Sequence, residues 1–173
     1  MNSKQTTSVN YILILELVLL FVMVPLVVRF SKLIAVLPIL WVFAAFCMFI
    51  LLRDKQFDRK QLWNFLPSLS VWKEILLRFL ISFVFFAVCV YVFMPEHLFR
   101  LVKTHPLLWM AIMILYPVFS VYPQELIYRV YFFHRYRNLF RGKWLMIAMS
   151  ALAFGYMHLI FQNWIAVVLT ILG

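Results

Sequence analysis

Glu125 and Arg129 break an otherwise apolar run from residue 107 to residue 133, and Gln124 stands beside them. Four residues apart, the carboxylate and the guanidinium fall on one face of a helix. Within hydrocarbon each such group costs ~2.5–3.5 kcal/mol on insertion scales, so each needs the other or a wet cavity. A plain ion pair that fixes helix packing is one reading. His158 opens another, because it lies four positions after Phe154, on one face of the next apolar run. The two runs are joined around Gly142 and should pair as an antiparallel hairpin. Glu125 is seventeen residues before Gly142 and His158 sixteen after it, which at 1.5 Å per residue sets the two side chains at nearly one depth. A carboxylate, a guanidinium and an imidazole would then meet inside the membrane. Pro123 lacks a backbone donor, so it can kink its helix and open room for water beside Gln124 and Glu125.

The elements that must position these residues are membrane helices. Of 173 residues, 66% are hydrophobic and 13% charged, a balance foreign to soluble domains. Apolar runs at 11–28, 33–52, 80–94, 107–133 and 144–161 are long enough to cross, or nearly cross, a bilayer core of ~30 Å. With three glycines and no short alternating segments, the expected fold is all-α: one polytopic transmembrane bundle over residues 1–173 with about five full spans. The segment 62–79 mixes Trp63, Trp72 and Leu76 with Lys73 and Arg78, the pattern of an interfacial helix. Residues 164–173 are too few to cross, so they are expected to be a half-helix or a truncated sixth span. Glu16, about five residues into its span, is expected to snorkel to the interface. Cys47 and Cys89 lie inside spans as small hydrophobic residues.

The net charge of +10 points to topology and away from nucleic acid, since the basic residues flank apolar runs and form no patch among base-stacking aromatics. Eleven Lys and Arg residues fall on one side of the expected spans: Lys4, six from Arg53 to Arg78 and four from Arg135 to Lys143. Four fall on the other: Arg29, Lys32, Arg100 and Lys103. The amino terminus and the loop around Asn138 are therefore expected in the cytoplasm. The lipid bilayer is the expected partner.

The segments QELIYR (Gln124 to Arg129) and FGYMH (Phe154 to His158) resemble the first two motifs of the CAAX prenyl protease and bacteriocin-processing family of intramembrane glutamic endopeptidases, Glu-Glu-x-x-x-Arg and Phe-x-x-x-His. The resemblance covers residues 119–173. It implies an activity in which glutamate and histidine activate a water for attack on a peptide carbonyl inside the membrane, with no metal or cofactor required. It also implies a peptide or membrane-protein substrate and a bacterial inner (plasma) membrane location. Carried over, Glu125 and His158 stand around the water, Arg129 orients, Gln124 positions and Phe154 supports the motif. There are two departures. Gln124 occupies the place of the first glutamate, and an amide cannot accept the water's proton, so Glu125 must substitute. The third motif, His-x-x-x-Asn or Asp on a later helix, has no counterpart in residues 1–173; His97, His105 and His134 sit in or near polar loops. Little proteolysis is expected from these residues alone. Two other classes stay open: a catalytically inactive relative acting as a scaffold, binding or immunity-type protein, and a small transporter whose path is lined by Glu16, Glu125 and Arg129.

Overall fold

A computed structural model of the chain describes residues 3–31, 36–62, 69–140 and 142–172. The described residues are overwhelmingly helical and contain no strand. Five helices are long and apolar enough to cross a membrane: α1 (Asn10–Phe30), α2 (Val36–Arg53), α3 (Val71–Phe93), α4 (Pro106–Arg135) and α5 (Lys143–Phe161). A short α6 (Trp164–Leu172) follows. The protein is an integral, multi-pass helical membrane protein.

Helix ends follow the local chemistry. α4 opens on Pro106, whose missing N–H is one the first turn leaves unpaired in any case. Asn163 caps α6, its Oδ1 accepting from the Ile165 and Ala166 N–H groups at 3.0 and 3.3 Å. The turn before α5 needs Gly142, which stands at φ +116° where a side chain would be strained. Two stretches of π-helix, Leu19–Met23 in α1 and Pro117–Val121 in α4, precede Pro25 and Pro123. A proline clashes with the carbonyl four residues back, here that of Phe21 or Phe119, and the widened turn accommodates it. Pro123 is fully buried, and the helical ladder continues past it.

One boundary differs from expectation. The segment 62–79 was read as a surface helix ending before a span at Leu80, but Leu69–Phe93 is one unbroken helix of 25 residues. Nothing between Leu69 and Met94 can stop it, since the first proline is Pro95. Lys73 and Arg78 lie in its first turns, and Arg78 pairs with Glu74 at 3.6 Å. The part of the surface-helix reading at 63–68 lies outside the described residues.

Internal contacts divide the chain into two units, Met1–Phe57 with Ser120–Gly173, and Asp58–Phe119. In the second unit, α3 turns through Pro95–His97 into a short helix, Arg100–Thr104, and then the start of α4. Its apolar side chains, Phe79 stacked on Phe83 among them, are exposed along α3, as suits contact with lipid.

The first unit carries the core. Phe21 of α1, 2% exposed, meets Phe43 of α2 and Tyr128, Phe132 and Tyr136 of the chain from α4 onward, with ring centroids 5.2–6.0 Å apart. Lipid tails are as apolar as Phe, so dense packing holds these helices together more than escape from water does. The edge-to-face ring pairs add ~0.5–1.5 kcal/mol each. Cys47 is buried among them as a free thiol. α6 folds back antiparallel along α5, and the crossing is at Gly155. A Cβ there would collide with Ile171, whose Cδ1 lies 2.8 Å away, and would stand 3.4 Å from the Val167 carbonyl. Residues 164–172 of the expected sixth run are thus helical and packed within the unit.

Candidate functional site

The π-helical stretch Leu126–Tyr131 brings Leu126, Ile127, Tyr128 and Tyr131 inward, against α2 and α5. Glu125 and Arg129 remain on the outer side of the same helix. The Glu125 Oε2 lies 3.2 Å from Arg129 Nη1, and the side chains are 44% and 65% exposed. The expected ion pair is present. Gln124 turns back along the helix, its Nε2 donating to the buried Ser120 Oγ at 2.9 Å.

α4 and α5 form the hairpin that the Gly142 turn suggests. Ser150 Oγ donates to the Tyr128 carbonyl at 2.6 Å, and the Tyr128 ring sits 4.9 Å from that of Phe154. Phe154, the first residue of the second motif, is therefore seated on the helix that carries the first. Starting from that contact, Glu125 lies three residues along α4 and His158 four residues along α5 in the same direction, rises of ~4.5 and ~6 Å. The two side chains share a level to within ~2 Å on this reckoning. Among the described residues, however, no hydrogen bond or ion pair joins Glu125, Gln124 or Arg129 to His158.

His158 is held by its own turn. Its Nδ1 is 2.9 Å from the Phe154 carbonyl, and its ring packs edge-on against Phe154 (4.7 Å) and beside Phe161 (5.7 Å). A carbonyl only accepts, so the proton sits on Nδ1 and the lone pair of neutral imidazole is left on Nε2. This is also where α5 stops being α-helical. Arg29, at the end of α1, donates from Nη1 to the Leu159 carbonyl at 2.7 Å, which fixes the turn after His158. A cavity of about 380 Å³ lies between α1, α5 and α6, lined by Phe21, Phe132, Tyr156, Trp164 and other apolar residues. Among the described residues no group of His, Cys, Asp or Glu is arranged to hold a metal ion.

Sequence reasoning missed the strongest polar contact in the unit. Glu16 was expected to snorkel or to line a path. Instead its Oε1 and Oε2 accept from Arg135 Nε and Nη2 at 2.9 and 2.6 Å, and Oε1 also accepts from the Tyr131 hydroxyl at 2.7 Å and the Tyr136 hydroxyl at 3.3 Å. His134 was placed in or near a loop, yet it is in the last turn of α4 with its side chain 8% exposed, its Nε2 2.8 Å from Asp54 Oδ2 and its ring edge-on to Phe57. That hydrogen bond, joined by the Gln56 N–H on Oδ1, holds the Asp54 carboxyl below the usual carboxylate range. The available signal was positional: Glu16, Asp54, His134 and Arg135 all lie near span ends that an alternating topology puts on one side of the bilayer.

The fold and the hairpin that carries the two motifs define a polytopic helical membrane protein. Residues 104–173 match the sequence model of the family described as "Type II CAAX prenyl endopeptidase Rce1-like". The likeness is confined to this carboxy-terminal part of the chain and supports a CAAX protease-type function in general terms. No curated protein and no solved structure matches the chain.

Proposed function

We propose that the protein is an intramembrane endopeptidase in which Glu125 and His158 activate a water for hydrolysis of a peptide bond in a membrane-embedded peptide or protein. The observation that carries this reading is the state of His158: Nδ1 is tied to the Phe154 carbonyl and Nε2 is left as an acceptor, on a helix whose Phe154 packs against Tyr128 of the helix that carries Glu125. In this scheme the water donates a hydrogen bond to His158 Nε2 or to a Glu125 oxygen and delivers its hydroxide to the carbonyl carbon, the proton passing to that base and then to the leaving amine. Arg129 orients the carboxylate from its ion pair, and Gln124, held by Ser120, positions it from the adjacent place.

A second reading, a catalytically inactive relative, is favoured by one specific arrangement. Glu125 is engaged with Arg129 and has no bond to His158, while Gln124 stands where the family pattern has its first glutamate. We further propose a bacterial inner-membrane location with the amino terminus in the cytoplasm, supported by the excess of Lys and Arg at the ends bearing Arg53 and Arg135. The experiment is to incubate the full-length protein in proteoliposomes with a library of membrane peptides, prenylated and unprenylated, and to search for new termini by mass spectrometry. New termini made by the wild type and lost in His158→Ala support the protease. Absence of new termini from a folded wild type, with cleavage appearing in Gln124→Glu, supports the inactive relative.

A further inference from the structure

A second cavity, of about 240 Å³, opens where α1, α2 and α4 end together. Its floor is apolar, from Ile12 and Leu13; its wall is Asp54 and Gln56 after α2, His134 and Arg135 in the last turn of α4, and Arg137 and Asn138 beyond it. The acceptors here are already taken. Asp54 receives His134 on one oxygen and the Gln56 N–H on the other, and Glu16, behind Arg135, is fully engaged. The donors are not. Arg137 bonds through one nitrogen to the Gln56 side-chain oxygen at 2.6 Å, a neutral group, which leaves most of its five N–H donors unused. No ion pair joins it to a carboxylate, although the chain has six acidic residues and all of them are described. Glu16, Asp54, Glu74, Glu96 and Glu125 pair with Arg135, His134, Arg78, His97 and Arg129, and Asp58 receives the Lys60 N–H. Asn138 adds a free amide among the described residues.

Asp54 on the same wall feels the Arg137 charge without a direct ion pair, and a pocket with surplus guanidinium donors and an apolar floor at the level where spans end calls for an anion bearing several acceptor oxygens on an apolar body. We propose that this pocket binds the phosphate of an anionic membrane lipid. The phosphate oxygens take the free Arg137 donors and the Asn138 amide, and the acyl chains leave along the exposed side of α1, where Tyr11, Ile12 and Leu15 are 60–69% exposed. Asp54 keeps its charge, but its oxygens are occupied, by His134 on one and the Gln56 N–H on the other. The site stands apart from Glu125 and His158 and does not depend on proteolysis.

The test measures thermal unfolding of the full-length protein in a neutral detergent while dioleoylphosphatidylglycerol, dioleoylphosphatidylcholine or inorganic phosphate is titrated in. The variants are Arg137→Gln, Arg137→Lys and Asn138→Asp, the last adding negative charge at the rim without touching Arg137. The expected result is that phosphatidylglycerol raises the wild-type midpoint at concentrations where phosphatidylcholine and inorganic phosphate do little. Arg137→Gln and Asn138→Asp should need about tenfold more lipid or beyond for the same rise, since a charge-assisted contact is lost or opposed. Arg137→Lys should fall between. An equal response of wild type and both charge-altering variants overturns the proposal. A response to inorganic phosphate that matches the lipid's also overturns it, and assigns the pocket to a soluble phosphate ester.

Discussion

Removing either partner of the Glu16–Arg135 pair should destabilise the first unit, and the two losses should not add. Glu16 is 19% exposed at its side chain and Arg135 35%, so neither is fully shielded from water or headgroups. Breaking a fully buried pair costs ~3–5 kcal/mol because a charge is left alone, and partial exposure brings the expected figure to ~2–3 kcal/mol for Glu16→Ala or Arg135→Ala. Tyr131 and Tyr136 act in opposite senses in the two variants. Without Arg135 the carboxylate keeps two phenol donors, whereas without Glu16 both phenols and the guanidinium lose their common acceptor. Glu16→Ala should therefore be the costlier change. The double variant should cost little more than Glu16→Ala alone, a coupling of at least ~1 kcal/mol. Reversible unfolding in mixed micelles, driven by sodium dodecyl sulfate and followed by tryptophan fluorescence, measures all four corners of the cycle. Single losses within ~0.5 kcal/mol of zero that simply add would refute the pair as a structural tie between α1 and α4.

Gly155→Leu should displace α6 from α5, costing ~1–3 kcal/mol by overpacking, and Ile171→Ala in the same chain should recover part of it; a neutral Gly155→Leu would mean that the helices do not cross there. Asp54 carries a pH dependence of known sign. Its folded carboxyl titrates below the unfolded value of ~3.9, so the stabilisation is present above about pH 4 and is lost as pH falls through the lower, folded value. Unfolding measured from pH 6 down to pH 2.5 should decline more steeply for the wild type than for Asp54→Asn, and parallel profiles would contradict this. A cysteine placed at Asn138 should react with membrane-impermeant maleimide only after the cytoplasmic side is opened; labelling from outside intact cells would reverse the proposed topology.

Much of this fold was legible because the bilayer imposes a length on any chain that crosses it. Four of the five spans lie within a few residues of the apolar runs that announced them. The third does not, since Lys73 and Arg78 were read as marking a surface, while their long side chains are compatible with the first turns of a continuous helix. The Glu125–Arg129 pair could be read from spacing alone, as i,i+4 neighbours depend on nothing beyond their own helix. Glu16 with Arg135 and Asp54 with His134 could not, for these partners are 119 and 80 residues apart and meet only once three spans have packed. Gly155 shows the same limit. It reads as one letter inside FGYMH, and its purpose is visible only when Ile171 arrives beside it. The π-helical turns before Pro25 and Pro123 were hidden for a local reason: a proline announces a disturbed ladder without saying whether the helix bends or widens.

The central claim is most directly tested by the initial rate of peptide-bond cleavage in proteoliposomes, measured for the full-length wild type, Glu125→Gln, His158→Ala and the double variant on one membrane-peptide substrate. If both residues serve the same water, each single change should lower the rate by ~10²–10⁴-fold, and the double variant should be little slower than either one. Cleavage that survives both changes, or a folded wild type that cleaves nothing, would contradict it.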